Sequence, residues 1–245
     1  MFSFTDEVIQ GSFLYDVFTS VPPRYDLINQ LFTLGLDGWW RRLAVRECLK
    51  DGQEKVLDIC CGTGDLSLTL AKVGGGNIEV VGIDFSQPML EMAEWKAEKR
   101  GLSHSLSFIG GDIADIPFPD GHFDCVGVSF AFRNLTYKNP SAGAYIAEIL
   151  RVLKPGGRFV IVESSQPRPR PKLTKWLHNF YVRYIVYWVG WLVSGNKEAY
   201  RYLADSVLNY YKAEELQRLL TEAGFSRVTF RRLLLGAAAI HVAVK

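Results

Sequence analysis

The sequence lacks an excess of charge of one sign, and it has few cysteines. Its 28 basic and 26 acidic residues give a formal net charge of +2 over 245 residues. No overall field therefore attracts the chain to nucleic acid, and we expect no nucleic-acid partner. The four cysteines, at 48, 60, 61 and 125, form no CxxC pair and lie near no histidine cluster at zinc-ligand spacing. We expect a reduced, cytoplasmic chain with no metal site.

The sequence also lacks a secretory signal and a long apolar run. Its first ten residues carry Asp6 and Glu7 and show no basic start followed by an apolar stretch. The longest uncharged runs are Tyr184–Asn196 and Leu233–Val244, and both are shorter than the ~20 apolar residues that cross a bilayer. We therefore expect a protein that does not span a membrane.

What is present indicates one globular α/β domain over residues 1–245, since 48% of the residues are apolar and 22% are charged. Short apolar runs alternate with helix-like segments from Lys55 onward, which predicts a doubly wound parallel sheet. The runs predicted as strands are Val56–Cys61, Glu79–Ile83, Ser105–Ile109, Phe123–Phe130, Gly157–Val162, Val228–Arg232 and Ala237–Val244.

Two flanking segments lie outside this alternation. Residues 1–54 have helical periodicity, interrupted at Pro22-Pro23, and predict a helical N-terminal cap. Residues 164–198 combine a proline-rich linker with an aromatic helical segment. Its aromatic residues recur at four- and three-residue steps, which predicts one aromatic helix face: Trp176, Phe180, Tyr184, Trp188 and Trp191.

A glycine turn follows the first predicted strand, in the stretch from Asp58 to Gly62-Thr63-Gly64. Glycines there allow a ligand to approach the backbone closely. Ser67 stands where a dinucleotide-binding G-x-G-x-x-G motif has its third glycine, and no Gly-Lys-Ser/Thr follows as in a P-loop. An ordinary strand-to-helix turn is the alternative interpretation.

Acidic residues end the next two strands. Asp84 closes the second strand, where a carboxylate can accept hydrogen bonds from ribose hydroxyls. Asp112 and Ile113 follow the third strand, where they could contact an adenine. Either aspartate alone could cap a helix, but carboxylates at successive strand ends behind one glycine turn favour a nucleoside-like ligand.

At these residues the chain resembles the class I S-adenosylmethionine-dependent methyltransferases. The resemblance implies a Rossmann-like sheet of seven strands with the last strand antiparallel, and S-adenosyl-L-methionine as cofactor. The matching motifs, within residues 55–162, are Asp58-x-x-x-Gly62-Thr63-Gly64, Asp84, Gly111-Asp112-Ile113, Phe123-Asp124 and Leu153-Lys154-Pro155-Gly156-Gly157.

The flanking segments resemble the quinone C-methyltransferases of menaquinone and ubiquinone biosynthesis. This resemblance implies methylation of a polyprenyl quinol ring carbon, demethylmenaquinol first and a polyprenyl benzoquinol as the alternative. Ala131, Asn196 and Tyr211 depart from the family pattern, so the resemblance does not fix the identity of the substrate ring. The matching segments include Val17 to Asn29, Leu34-Gly35-Leu36, Trp40-Arg41-Arg42, Phe132-Arg133-Asn134, Glu163 to Pro167, Ala199 to Leu203, Ala223-Gly224-Phe225 and Ile240-His241.

The family resemblance also implies the site residues. Tyr25, Arg133 and Asn134 match the acceptor side, where we hypothesise that Arg133 stabilises a phenolate and Asn134 orients the ring oxygen. A surface ion pair for Arg133 and a core aromatic for Tyr25 are the alternatives. The positions that match cofactor contacts are Asp58, Gly62, Thr63, Gly64, Asp84, Phe85, Asp112, Ile113 and Ser129.

Three questions stay open from the sequence. No histidine stands out as a general base; His104, His122, His178 and His241 are expected to be structural or solvent-facing. The aromatic segment could be a core or homodimer helix, a channel for a polyprenyl tail, or a peripheral membrane contact. The rival functions are methylation of a nitrogen or oxygen of a soluble metabolite, and a non-catalytic subunit that binds cofactor or lipid.

Overall fold

The computed structural model describes residue 26 and residues 29–167, 172–194 and 197–245. Several sequence predictions lie outside this part of the chain. They concern the N-terminal helical periodicity before residue 26, the Pro22-Pro23 break, the candidate acceptor residue Tyr25, prolines 169 and 171, and Asn196.

Seven strands form one sheet in the order β3-β2-β1-β4-β5-β7-β6. The first five strands are parallel, and β7 runs antiparallel to both β5 and β6. The predicted fold class, with its reversed last strand, is confirmed. The strands are β1 (Lys55–Ile59), β2 (Glu79–Asp84), β3 (Leu106–Gly110), β4 (Phe123–Ser129), β5 (Leu153–Ser164), β6 (Arg227–Leu233) and β7 (Ala238–Val244).

Helices cover both faces of the sheet. They are α1 (Asp37–Cys48), α2 (Asp65–Gly74), α3 (Gln87–Lys99), α4 (Phe132–Thr136), α5 (Ala142–Val152), α6 (Lys172–Phe180), α7 (Tyr187–Ser194), α8 (Lys197–Asn209) and α9 (Ala213–Glu222).

The central strands read as continuous apolar runs because both of their faces are covered. Consecutive side chains point to opposite faces of a strand, so Phe159 and Ile161 of β5 pack in one core with α5 and α9. Val160 and Val162 pack in the second core with α1 and α2, where Trp40 is also buried. Helix α1, which precedes the sheet in the sequence, is thus part of the core.

The strand β5 begins four residues earlier than the predicted Gly157. Helix α5 ends at Val152, and Leu153 already pairs with Phe123 in the sheet. The register shifts between Phe123 and Cys125, and Gly156 adopts a φ of +76°. The residues from Leu153 to Gly156, before the predicted start, therefore form an irregular first part of the strand.

The aromatic segment is helical, but it is not one regular α-helix. A π-helical turn over Tyr181–Val186 joins α6 to α7. Ring stacking follows the predicted face, with centroids 5.7 Å apart for Trp176 and Phe180 and 5.0 Å for Phe180 and Tyr184. In the part of the chain that the structure describes, no helix is both long and apolar enough to cross a membrane.

Candidate functional site

The glycine turn lies at the carboxyl end of β1, the edge where parallel α/β sheets bind ligands. Gly62 and Gly64 have φ angles of +54° and +79°, a region that favours glycine. A Cβ added to Gly64 would lie 2.9 Å from the Cβ of Ala93 and 3.1 Å from the ring of Phe108. The second glycine is thus required by both conformation and space.

Asp84 fixes the turn from the neighbouring strand β2. One carboxylate oxygen accepts a hydrogen bond from the backbone N–H of Gly62 at 2.8 Å, and the other accepts from the N–H of Ser86 at 2.9 Å. Burial raises the pKa of this carboxyl, although the bound N–H groups oppose the shift. The carboxylate stands at the position predicted for a ribose contact.

Asp58 lies behind the turn rather than at its open side. Its side chain is 1% exposed, and its Oδ2 accepts hydrogen bonds from the backbone N–H and the hydroxyl of Ser67 at 3.0 and 2.6 Å. Burial raises its pKa to about 7, although the two hydrogen bonds from Ser67 oppose the shift. Asp58 therefore anchors the first turn of α2 to strand β1.

Thr63 joins the turn to two charged residues that the sequence analysis gave no role. Its hydroxyl donates to Asp26 Oδ1 at 2.7 Å and accepts from Lys96 Nζ at 2.9 Å. Lys96 also pairs with Asp26 at 2.5 Å and with Asp65 at 3.0 Å. This cluster brings the described N-terminal residue 26 against the glycine turn.

The remaining residues that were predicted to contact the cofactor follow β2 and β3. Phe85 is 43% exposed, and Asp112 is exposed, with one oxygen accepting from the N–H of Ala114 at 2.9 Å. Ile113 is buried beside them. Two strand-end carboxylates, an exposed aromatic ring and a glycine turn along one sheet edge fit the ribose, adenine and methionyl parts of S-adenosylmethionine.

Arg41 connects this edge to the next feature, a cavity. From helix α1, its Nε donates to the hydroxyl of Ser129, at the end of β4, at 3.1 Å. Its NH1 bonds to Asp37 at 2.6 Å and lies 3.4 Å from Asp65. Arg41 is nearly buried and also lines the cavity, so it contacts both the predicted cofactor residue Ser129 and the cavity.

A cavity of about 420 Å³ opens beside the carboxyl ends of β4 and β5. Such a volume suits a small organic ligand, and apolar side chains with a few polar groups are typical of such sites. The apolar lining includes Phe32, Trp40, Phe130, Leu177, Val182, Val186 and Leu203; the polar and titratable lining includes Asp37, Arg41, Arg133, Asn134, Glu163, Ser164, His178, Tyr181, Tyr200 and Tyr202.

Arg133 and Asn134, the predicted acceptor residues, both line this cavity. The guanidinium NH1 of Arg133 donates to the hydroxyl of Ser206 at 2.7 Å. Glu163 accepts from the backbone N–H of Arg133 at 3.1 Å, and its other oxygen lies 3.9 Å from Arg133 Nε. Arg133 is therefore held in a buried ion pair, and the surface ion pair considered above does not occur.

One side-chain polar atom of each of these two residues has no hydrogen-bond partner among the described residues. These atoms, Arg133 Nε and Asn134 Oδ1, are both buried. A buried polar group without a partner is costly. One of these atoms is a donor and the other an acceptor, which are the two kinds of group that a phenolic hydroxyl can bond.

The sequence analysis assigned no role to Arg41, Lys96 or Glu163. Glu163 offered the clearest signal, because it ends the apolar run of β5 as Asp84 ends that of β2. Arg41 and Lys96 lie on helix faces, and their contacts to Ser129 and Thr63 span 88 and 33 residues. Local sequence patterns carry no signal for such contacts.

The thiols near the site have no evident reactivity. Cys60 and Cys61 flank the glycine turn, and burial raises the pKa of both, so both thiols stay protonated at neutral pH. All four cysteines are free. Among the residues that the structure describes, no group of three or more His, Cys, Asp or Glu side chains could hold a metal ion.

The strand order, the reversed β7 and the glycine turn beside strand-end carboxylates define the class I methyltransferase fold. Solved structures agree: a SAM-dependent methyltransferase from Aquifex aeolicus has a TM-score of 0.59 at 22% identity, covering 89% of this chain and 96% of that one. The cyclase SpnF has a TM-score of 0.61 at 23% identity, covering 84% and 80%. The fold therefore does not by itself fix the reaction.

The sequence settles the family. The model of the ubiE/COQ5 methyltransferase family matches residues 7–245, and the chain belongs to this family of S-adenosylmethionine-dependent methyltransferases. Demethylmenaquinone methyltransferase of Thermus thermophilus is 42% identical over 226 residues, covering 92% of this chain and 98% of the relative. Ubiquinone/menaquinone biosynthesis C-methyltransferase UbiE of Pseudomonas paraeruginosa is 37% identical, covering 94% and 88%.

Proposed function

We propose that the protein transfers a methyl group to a ring carbon of a polyprenyl quinol, with demethylmenaquinol as the first candidate and a polyprenyl benzoquinol as the second. The activities for which the relatives are named and the apolar cavity support this function. The observation that carries it is that Arg133 and Asn134 line the cavity, each with a buried polar atom, Nε and Oδ1, that has no hydrogen-bond partner among the described residues. That donor and acceptor suit a ring hydroxyl.

The acceptor must be the reduced quinol. A quinone ring carbon is electrophilic, whereas a deprotonated hydroquinone places negative charge on the carbon next to its oxygen. S-adenosylmethionine, when bound, supplies an electrophilic methyl group on sulfur. The protein then aligns the ring with that methyl group and excludes water, and orientation of this kind is worth ~7–11 kcal/mol.

Each part of the site has a role in this proposal. Asp84 accepts from the ribose, Asp112 and Ile113 meet the adenine, and the glycine turn approaches the methionyl part. Arg133 donates from Nε to the ring oxygen as charge develops on it, and Asn134 accepts from the ring hydroxyl before it ionises. Because Glu163 already balances the guanidinium charge, Arg133 contributes mainly a directed hydrogen bond.

The direct test is methyl transfer from labelled S-adenosylmethionine to a panel of chemically reduced naphthoquinols and benzoquinols. We expect one new methyl group on a ring carbon, located by mass spectrometry, and no transfer to the oxidised quinones. Transfer to oxygen or nitrogen of soluble phenols and amines instead would favour the rival methyltransferase. Cofactor binding by calorimetry without transfer to any quinol would favour a non-catalytic subunit.

We further propose that the outer face of the aromatic segment contacts a membrane surface, where a polyprenyl quinol resides. Large apolar side chains that are about half exposed or more lie along this segment: Leu173, Trp176, Leu177, Phe180, Tyr184, Trp188 and Leu192. Basic side chains on the same segment, Lys172, Lys175 and Arg183, are exposed and suit anionic headgroups. An exposed apolar surface of this extent is typical of an interaction site.

The rim of the cavity supports the same contact. Leu34, Leu234 and Leu235 line the cavity, and their side chains are 71%, 52% and 74% exposed. All three have a positive φ, of 52°, 43° and 57°, a conformation that strains a residue with a side chain. Strained, exposed leucines at a cavity mouth suit a prenyl tail that leaves the cavity for the bilayer.

Flotation with lipid vesicles tests this contact. We expect the protein to float with vesicles that contain anionic lipid, and Trp176→Glu to reduce the floating fraction. Trp95→Glu is the matched control, because Trp95 is similarly exposed but lies on α3. Protein that stays wholly in the dense fraction, or a homodimer in which this face is covered, would contradict the membrane contact.

A further inference from the structure

Methylation of a quinol carbon releases one proton, so the site needs a group that can accept it. The ring hydroxyl must lose its proton before the ring carbon attacks, and the methylated carbon must then lose its hydrogen to restore the aromatic ring. No candidate base stands out in the sequence. The titratable side chains that line the cavity therefore decide which residue could serve.

Among the described residues, the two carboxylates that line the cavity already accept hydrogen bonds at both oxygens. Asp37 accepts from the hydroxyl of Thr33 at 2.9 Å and from Arg41 at 2.6 Å, one bond to each oxygen. Glu163 accepts from the backbone N–H of Arg133 with one oxygen, and from the N–H and hydroxyl of Ser164 at 2.8 Å with the other. A proton on either carboxylate would disrupt these bonds.

The cavity arginines and tyrosines do not serve as bases at neutral pH. Arginine keeps its proton in proteins, and a tyrosine hydroxyl ordinarily ionises near pH 10. Burial raises the pKa of Tyr181 further, and its hydroxyl donates to the carbonyl of Phe32 at 3.1 Å. The lining carboxylates, arginines and tyrosines are thus all excluded among the described residues.

His178 is the titratable side chain that remains. It lies on α6, half-buried, and lines the cavity. Its Nδ1 lies 3.5 Å from Asn179 Oδ1, so when Nδ1 carries the hydrogen and donates to that oxygen, Nε2 keeps its lone pair. Burial lowers the pKa of His178, and the contact with Asn179 opposes this only in part, so the imidazole is neutral at neutral pH.

We infer that His178 is the catalytic base that takes the proton of the quinol hydroxyl, an inference that rests on the proposed function. The O–H proton moves to His178 Nε2 while a C–CH3 bond forms at the neighbouring ring carbon and the S–CH3 bond breaks, leaving its electron pair on sulfur. The imidazolium returns its proton to the ring oxygen, Nε2 then takes the hydrogen of the methylated carbon as a proton, and that proton passes to solvent when the product leaves.

Replacement of His178 by glutamine, in the full chain with S-adenosylmethionine and a reduced naphthoquinol, tests this role. We expect kcat to fall by about 100-fold or more, the usual contribution of a positioned base, with cofactor affinity by calorimetry unchanged. In the wild type, kcat should rise with pH to a plateau as the imidazole loses its proton, and the variant should lose that rise. Added imidazole should restore turnover in part to His178→Ala.

His122→Gln is the matched control, because its ring packs between Phe118 and Phe123 and does not belong to the cavity lining. A His178→Gln variant with a higher KM but an unchanged kcat and pH profile would overturn the inference and leave a packing role. A wild type that methylates no quinol would instead overturn the proposed function, so the two failures are distinguishable.

Discussion

Replacement of Asp58 by asparagine should stabilise the protein relative to the wild type, by an amount that grows as the pH rises from 4 to 8. The carboxyl is buried, and its pKa is raised from 3.8 to about 7, so the unfolded chain releases this proton at a lower pH than the folded protein does. Between these two values the folded state binds more protons, and the free energy of unfolding of the wild type falls with rising pH. The asparagine side chain carries no such charge.

The size of the pKa shift of Asp58 sets the size of the expected effect on the free energy of unfolding. At 1.36 kcal/mol per pKa unit, a rise from 3.8 to about 7 costs the wild type on the order of 4 kcal/mol once the pH exceeds the folded value. The asparagine carbonyl can still accept the hydrogen bonds from Ser67, so the anchor behind the glycine turn remains. The difference in unfolding free energy between variant and wild type should therefore grow by several kcal/mol across this range.

Urea denaturation at a series of pH values measures this difference. Asp115→Asn, at an exposed position, is the control for the replacement of a carboxylate by an amide. A difference for Asp58→Asn that stays constant from pH 4 to pH 8 would refute the reasoning, since it would mean that Asp58 ionises like an exposed carboxyl in the folded protein.

Three further substitutions test other parts of the site. Arg133→Lys keeps a positive charge beside the buried carboxylate but removes the Nε donor, so kcat should fall by about 100-fold or more with cofactor affinity unchanged; equal turnover would remove the residue from the reaction. Asp84→Ala removes a carboxylate that binds two backbone N–H groups, and calorimetry should show about tenfold or more weaker S-adenosylmethionine binding. Gly82→Ala would place a Cβ 2.6 Å from the ring of Phe108 and should cost about 1–3 kcal/mol of stability, whereas Gly76→Ala, with open space around it, should cost less in the same denaturation assay.

The sheet could be predicted closely because its signals are local. Each buried strand is a short apolar run, and strands such as β2 end at an acidic residue that the sequence displays directly. The start of β5 was predicted wrongly, because Pro155 and the glycines after it usually mark a turn, and here they lie in an irregular strand whose pairing depends on Phe123. That pairing is a tertiary contact.

The cavity beside β4 and β5 could be predicted only in part, for the same reason. Arg133 and Asn134 were found by resemblance to a family motif, and both line the cavity. The bond from Arg133 to Ser206 spans 73 residues, and the aromatic segment that lines the cavity contains a π-helical turn over Tyr181–Val186. A sequence pattern with the helical period of 3.6 residues does not predict such a turn.

A crystal structure with S-adenosylhomocysteine and a reduced naphthoquinol tests the central claim most directly. The account predicts the ribose on Asp84, the sulfur beside the glycine turn, and a ring oxygen within hydrogen-bond distance of Arg133 Nε and Asn134, with the methyl-accepting carbon facing the sulfur. A ring bound outside the cavity, or a cofactor away from the carboxyl ends of β1 and β2, would contradict it.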